Sequence, residues 1–227
     1  MNDDLSHVVG ELLPVAVGVA ISPVPMIAVI LMLLAPHAKA ASVAFLSGWV
    51  AGIAVVVTVV ALVVDPVDDG SAEDPSTLSS LLKLALGIVV LLLAARQWRG
   101  RPRPGEEPQM PKWMAAIDTI TSSKALGLGA LLSAVNPKNL ALCVAAGVSI
   151  GGGGLSTGST AAAVVVFVVL GSCSVAVPVV GYLVAQRRMQ RPLDELRVWL
   201  TTHNAAVMTV LLLVIGAKTF GEGLAGL

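Results

Sequence analysis

Charged residues are scarce in this chain: Asp, Glu, Lys and Arg make up 12% of 227 residues against 56% hydrophobic, and the mean hydropathy is +0.89. Soluble domains carry about 25% charged residues, so water is excluded as the solvent for most of the chain. The formal net charge is zero, which argues against a nucleic-acid partner. Cysteine is nearly absent. Cys143 and Cys173 each lie inside an apolar run, where a reduced thiol behaves as a small hydrophobe. His7, His37 and His203 stand in loops or near the ends of apolar runs, and the chain contains no His-x-x-Glu-His and no Cys-x-x-Cys. Catalytic and metal chemistry therefore have no foothold, and the chain reads as neither an enzyme nor a cofactor carrier. A Walker motif is also missing, which excludes ATP hydrolysis by this chain. Residues 1–10 contain Asp3 and Asp4 but no Lys or Arg, so the basic n-region of a cleavable signal peptide is lacking and the first apolar run is expected to be retained.

What the chain has instead is Val, Leu and Ala in blocks of roughly twenty residues, long enough to cross about 30 Å of hydrocarbon as helix. The blocks cover residues 12–35, 41–64, 78–95, 126–150, 161–185 and 205–220. They do not alternate as barrel strands would. The predicted fold class is an all-α integral membrane protein with six transmembrane helices. Pro36 to Lys39 forms a short first connection, and the second, residues 65–77, is acidic, with Asp65, Asp68, Asp69, Glu73 and Asp74. Lys83 is near one end of its block, where its stem can snorkel to the interface. Residues 97–124 begin Arg- and Pro-rich and continue with Trp113, Met114, Ile117 and Ile120 at the spacing of an interfacial helix. A second surface helix is expected around Leu193, Leu196, Trp199 and Leu200. Gly48 and Gly52 form a GxxxG spacing, which suits either a neighbouring helix of the same chain or a homodimer.

Orientation follows from the basic residues, which are retained on the cytoplasmic side. Lys39, then Arg96, Arg99, Arg101, Arg103, Lys112 and Lys124, then Arg187, Arg188, Arg191 and Arg197 all fall on one side, eleven of the fourteen Lys and Arg. Both termini are therefore expected to be extracytoplasmic.

Pro23 and Pro137 are 114 residues apart, half the chain, each near the centre of the first helix of a three-helix set. Three is odd, so a second set would enter the membrane in the opposite direction, which predicts a 3+3 inverted-topology repeat with broken first and fourth helices. The corresponding division is residues 1–96, a cytoplasmic connector at 97–124, and residues 125–227. Proline removes a backbone donor and clashes with the carbonyl one turn back, so Pro23 with Pro25, and Pro137, should break their helices at membrane depth. Broken backbone is tolerated there only where it is buried in protein or faces a wet cavity. Paired breaks of this kind form the midplane substrate site in inverted-repeat transporters. Lys138 is the sharpest single residue, because a central lysine costs roughly 2.5–3.5 kcal/mol to insert. No Asp or Glu lies in the central part of any block. Its charge is thus available to an anionic substrate group, to carbonyls freed by the prolines, or to a mobile proton.

Ser22-Pro23-Val24-Pro25 in the first helix and Asn136-Pro137-Lys138-Asn139 in the fourth, in a six-helix chain of this length, resemble the lysine-exporter (LysE) superfamily. More narrowly, Ile21 to Pro25 taken with Ser133-Ala134-Val135-Asn136-Pro137-Lys138-Asn139 resembles its GAP branch, the lipid-addressing proteins of actinobacteria. The resemblance covers nearly the whole chain and implies export: of amino acids in the founding branch, of glycolipids or other envelope lipids in the GAP branch. Amino-acid exporters commonly have Pro-Gly-Pro where this chain has Pro23-Val24-Pro25, which favours the lipid branch. A distant branch relays electrons through paired cysteines in its first and fourth helices. Here the first block has none, so a thiol relay is not expected.

The expected function is therefore export of an amphiphilic lipid or glycolipid from the inner membrane of a bacterium to its envelope. The substrate site is expected at Ser22, Pro23, Pro25, Asn136, Pro137, Lys138 and Asn139. Efflux of a small amino acid or similar metabolite is the alternative. Expected partners are membrane lipids, the substrate, and either a homodimer or larger envelope export machinery; a purely scaffolding subunit would need neither the central prolines nor the lysine. With Cys143 and Cys173 replaced by alanine, a cysteine placed at Ser71 should react with an impermeant maleimide from outside the cell and one at Gly105 should not; the reverse pattern overturns the orientation.

Overall fold

A computed structural model of the chain describes residues 3–64, 77–101, 117 and 119–227. The acidic connection and most of the 97–124 connector, including Trp113 and Met114, lie outside the described residues. Among the described residues, seven helices follow in order: α1 Asp3–Ala20, α2 Pro23–Leu34, α3 Ala38–Val64, α4 Thr77–Arg99, α5 Ser122–Ala134, α6 Pro137–Gly151 and α7 Thr157–Ala225. No strand occurs among the described residues. The many Val and Ile are indifferent helix formers in water. In lipid, however, every backbone polar group must be satisfied within its own segment, and helix is the conformation that does so.

Four stretches are long and apolar enough to cross a membrane: Ala38–Val64, Ser80–Arg99, Thr157–Gln186 and Arg188–Ala225. Two bent pairs bring the number to six if each pair is one span. Leu5–Ala20 with Pro23–Leu34 bends by 53°, and Ser122–Ala134 with Pro137–Gly151 by 63°. The chain is a multi-pass, all-helical membrane protein. Helix α7 is two helices joined across a kink: the chain leaves helical geometry at Ala185 (φ −138°, ψ 50°), which divides α7 into two limbs. The surface helix expected around Leu193 is not a separate element: it is the first part of the second limb, continuous with the last apolar run. At 38 residues that limb is about 57 Å long, well beyond a hydrocarbon core. Its face also differs from the expectation, for Leu193 and Leu200 are buried whereas Trp199 is half exposed. Ile117, expected at an interface, is buried in the main core.

Helix α3 packs against α5, α6 and α7. Phe45, Trp49, Ile53, Val57 and Ala61 recur every four residues and are all buried, a single stripe facing the bundle. The Trp49 indole donates to the Gly171 carbonyl of α7 at 3.3 Å, so this buried polar handle ties two spans together. On another face α3 meets α5 at backbone contact. A Cβ on Gly48 would overlap the Leu126 carbonyl, and one on Gly129 would overlap the Phe45 carbonyl. The Gly48 and Gly52 face is therefore filled from within the chain, so of the two uses open to this spacing the structure takes the neighbouring helix of the same chain. Small residues do the same between α4 and α7, where a Cβ on Gly87 would stand 2.5 Å from the Phe220 nitrogen.

Gly129→Leu should hold α3 and α5 apart at a cost of roughly 1–3 kcal/mol or more. Gly127→Leu, with nothing within 4 Å of its Cβ position, should cost little. Thermal melts of the two purified variants in one detergent check this, and equal melting temperatures would contradict the packing.

Candidate functional site

Both breaks are built alike. Helix α1 stops at Ala20, Ser22 is extended (φ −118°, ψ 92°), and Pro23 opens α2. In the second pair α5 stops at Ala134, Asn136 takes φ −59° and ψ 121°, and Pro137 opens α6. A residue before proline is disfavoured in helical geometry, and a proline at the first position of a helix forfeits no hydrogen bond, because that N–H has no partner in any helix. The prolines thus end one helix and start the next rather than kinking a continuous one. Asn136 caps α6 by accepting from the Lys138 amide at 3.1 Å.

The carbonyls released at the first break are taken up by side chains from elsewhere. The Ser22 amide turns back to Ala20 O at 2.8 Å. Gly18 O, which would have received it in a continuous helix, instead accepts from Lys138 Nζ at 2.8 Å. The same ammonium donates to Ile21 O at 3.3 Å and to Ser22 Oγ at 2.5 Å. Ser174 of α7 donates to Ala20 O at 2.5 Å. An ammonium has three protons, and all three are engaged. They lie at the carbonyl end of α1, where the helix dipole favours a cation. Ser22 keeps one proton, shared between Val19 O at 2.7 Å and Asn139 Oδ1 at 3.1 Å. Asn139 donates through Nδ2 to Leu132 O at 2.9 Å, a carbonyl near the end of α5. Ser22, Lys138 and Asn139 are buried, at 2%, 8% and 0% exposure. The second break therefore supplies the groups that satisfy the first.

A cavity of about 220 Å³ opens beside this junction. Ser22, Pro23, Pro25, Asn136, Pro137 and Lys138 line it, together with Val24, and Asn139 stands behind them without reaching it. Its far wall comes from residues that the sequence reading did not place in the site: Leu93, Arg96 and Gln97 of α4, and Asn204, Met208 and Leu212 of α7. The spacings 93, 96, 97 and 204, 208, 212 each fall on one helix face, the signal by which they were findable. Which faces would meet was not in the local sequence.

A second cavity of about 450 Å³ is lined by residues near the other end of α1, including His7, Glu11, Lys83 and Glu222. Glu11 stands inside α1, and Lys83, placed by the sequence near one end of its block, has a carboxylate beside it there. Lys83 Nζ is 4.0 Å from Glu11 Oε2, His7 is 3.6 Å from Glu11 Oε1, and Lys218 pairs with Glu222 while donating to Glu11 O at 3.3 Å.

The family model of SfLAP, described as Sap, sulfolipid-1-addressing protein, matches residues 12–225. The chain belongs to this family. No curated protein and no solved structure matches it. The matched region contains both breaks and every residue lining the first cavity.

Lys138→Met should leave Gly18 O and Ile21 O unpaired, and Asn139→Leu should do so for Leu132 O, at about 1–3 kcal/mol per orphaned group. Hydrogen exchange in detergent reads both: Lys138→Met should speed exchange over residues 21–26 and Asn139→Leu over residues 135–140. Unchanged protection in both would show that these side chains do not hold the breaks.

Proposed function

We propose that this protein exports an acidic amphiphilic lipid or glycolipid from the inner membrane of a bacterium to the cell envelope, using the cavity between its two broken helices as the substrate site. The observation that carries this reading is the cavity itself. Two discontinuous helices, each opened by a proline, converge on it with Ser22, Asn136 and Lys138, and Arg96 stands on its far wall. Ordinary membrane packing has no use for a hollow that gathers a lysine, an arginine and three side-chain amides among apolar walls, whereas a transported amphiphile does. Family membership supports the substrate class, because a sulfolipid carries an acidic head and the family is named for addressing one.

Several finer features belong to the same reading. The two bent pairs, each followed by two further candidate spans, fit a 3+3 inverted repeat and a place in the lysine-exporter superfamily. The arrangement of basic residues puts the Arg96 end of the cavity on the cytoplasmic side and both termini outside. The cavity would then lie at the midplane and be reached from the inner leaflet. Lys138 acts in the cycle by exchanging a carbonyl partner for the substrate's acidic group, the 3.3 Å bond to Ile21 O being the longest of its three. Efflux of a small amino acid is the other reading; Lys138 and the cavity suit its carboxylate, but Leu93, Met208 and Leu212 give it no partner.

Cells lacking the protein should show an acidic lipid depleted from extracts of the outer envelope and retained in the inner membrane, with free amino acids unchanged. Wild type should restore export, and Lys138→Met at equal membrane abundance should restore it at about one tenth of the rate or less, as loss of a buried charge pair implies. An unchanged lipid profile with raised intracellular amino acids would replace this reading by the other.

A further inference from the structure

We infer that Arg96, with Gln97 and Asn204, is the first receptor for the acidic head of the substrate, and that Leu93, Met208 and Leu212 hold the beginning of its tail; this rests on the reading of the cavity as a lipid-export site. Two cations line the cavity, Lys138 and Arg96. The three protons of Lys138 are already donated to Gly18 O, Ile21 O and Ser22 Oγ, so an arriving anion finds none without breaking a bond that holds α1. Arg96 is different. It is exposed, and among the described residues no carboxylate pairs with it. A guanidinium presents a fork of donors suited to two oxygens of a sulfate, phosphate or carboxylate. Asn204 Oδ1 is buried and has no hydrogen-bond partner among the described residues, an acceptor to which a hydroxyl of the same head can donate.

The order of side chains along the walls gives the orientation of the guest. On α4 the polar pair Arg96 and Gln97 is at the end of the helix, with Leu93 one turn deeper. On the antiparallel limb of α7, Asn204 comes first and Met208 and Leu212 lie one and two turns deeper. Both walls run from polar to apolar in the same direction, which is how a lipid of one leaflet presents itself. A small hydrophilic solute would gain nothing from the deeper half.

Binding to the full-length protein in nanodiscs of zwitterionic lipid tests this with three probes: hexadecyl sulfate, uncharged hexadecanol and inorganic sulfate. Wild type should bind hexadecyl sulfate about tenfold or more tightly than hexadecanol, the scale of a charge-assisted contact. Arg96→Gln should abolish that preference, and Arg96→Lys should keep part of it. Inorganic sulfate should compete poorly. Arg96 ends an exposed helix turn, so an unchanged melting temperature certifies the variants. A preference that survives Arg96→Gln but disappears in Lys138→Met overturns the role of Arg96 and leaves the export reading standing. Wild type that does not distinguish hexadecyl sulfate from hexadecanol sinks both. Competition by sulfate at the concentration of hexadecyl sulfate would make the site one for a free anion, and the part assigned to the tail would fall.

Discussion

The ammonium of Lys138, held between Gly18 O, Ile21 O and Ser22 Oγ, lets an interrupted helix and a buried cation exist together inside a lipid-solvated bundle. Either feature alone would be costly. An unpaired backbone carbonyl in hydrocarbon costs several kcal/mol, and an inserted lysine at least roughly 2.5–3.5 kcal/mol. Paired, each removes much of the other's penalty, and the carbonyl end of α1 adds a favourable dipole. The lysine belongs to the second broken helix and the carbonyls to the first, so the two breaks stabilise one another. Asn139 extends the coupling by reaching Ser22 on one side and Leu132 O on the other.

The rest of the bundle is arranged to bring these two breaks together and keep them there. Reciprocal close approach at Gly48 and Gly129 sets α3 against α5, the Trp49 indole fastens α3 to α7, and Ser174 of α7 completes the partners of the α1 terminus. What remains between α2, α4, α6 and the second limb of α7 is a cavity with a fixed cation on one wall and, on the other, Arg96, which pairs with no carboxylate among the described residues. Near the far end of α1 the charges pair instead, through Glu11, Lys83, Lys218 and Glu222. For the proposed export cycle this contrast is useful: one cavity offers a guest a guanidinium with no carboxylate partner among the described residues, whereas the cations beside the other are already paired with carboxylates.

Much of the architecture was legible before any coordinates. Long Val, Leu and Ala runs mark the spans, because segment length and hydropathy are local properties and the bilayer thickness is fixed. Pro23, Pro25 and Pro137 marked the breaks for an equally local reason, the missing N–H and the restriction they impose on the preceding residue. The lysine stood out through its cost. Where a local pattern had two tertiary outcomes, only the fold chose between them. Gly48 and Gly52 could serve a second copy or a helix of the same chain, and α5 took them. The segment around Leu193 was amphipathic, but continuity with the last span made it part of one long limb. Nothing local singles out Glu11, because the lysines beside it, Lys83 and Lys218, come from helices distant in sequence.

By itself the sequence determined that this chain lives in lipid as helices, that two of those helices are interrupted, and that one lysine must find partners at an interruption. These follow from residue chemistry within a few turns of helix. The tertiary structure alone decided who those partners are, that Arg96, Gln97 and Asn204 share a cavity with Lys138, and that the protons of Lys138 are engaged whereas Arg96 meets no carboxylate among the described residues. Hydrogen bonds are short-ranged and directional, so which of several candidate groups is satisfied depends on helix faces meeting within about 3 Å, and the crossing and rotation of helices far apart in the chain set that distance.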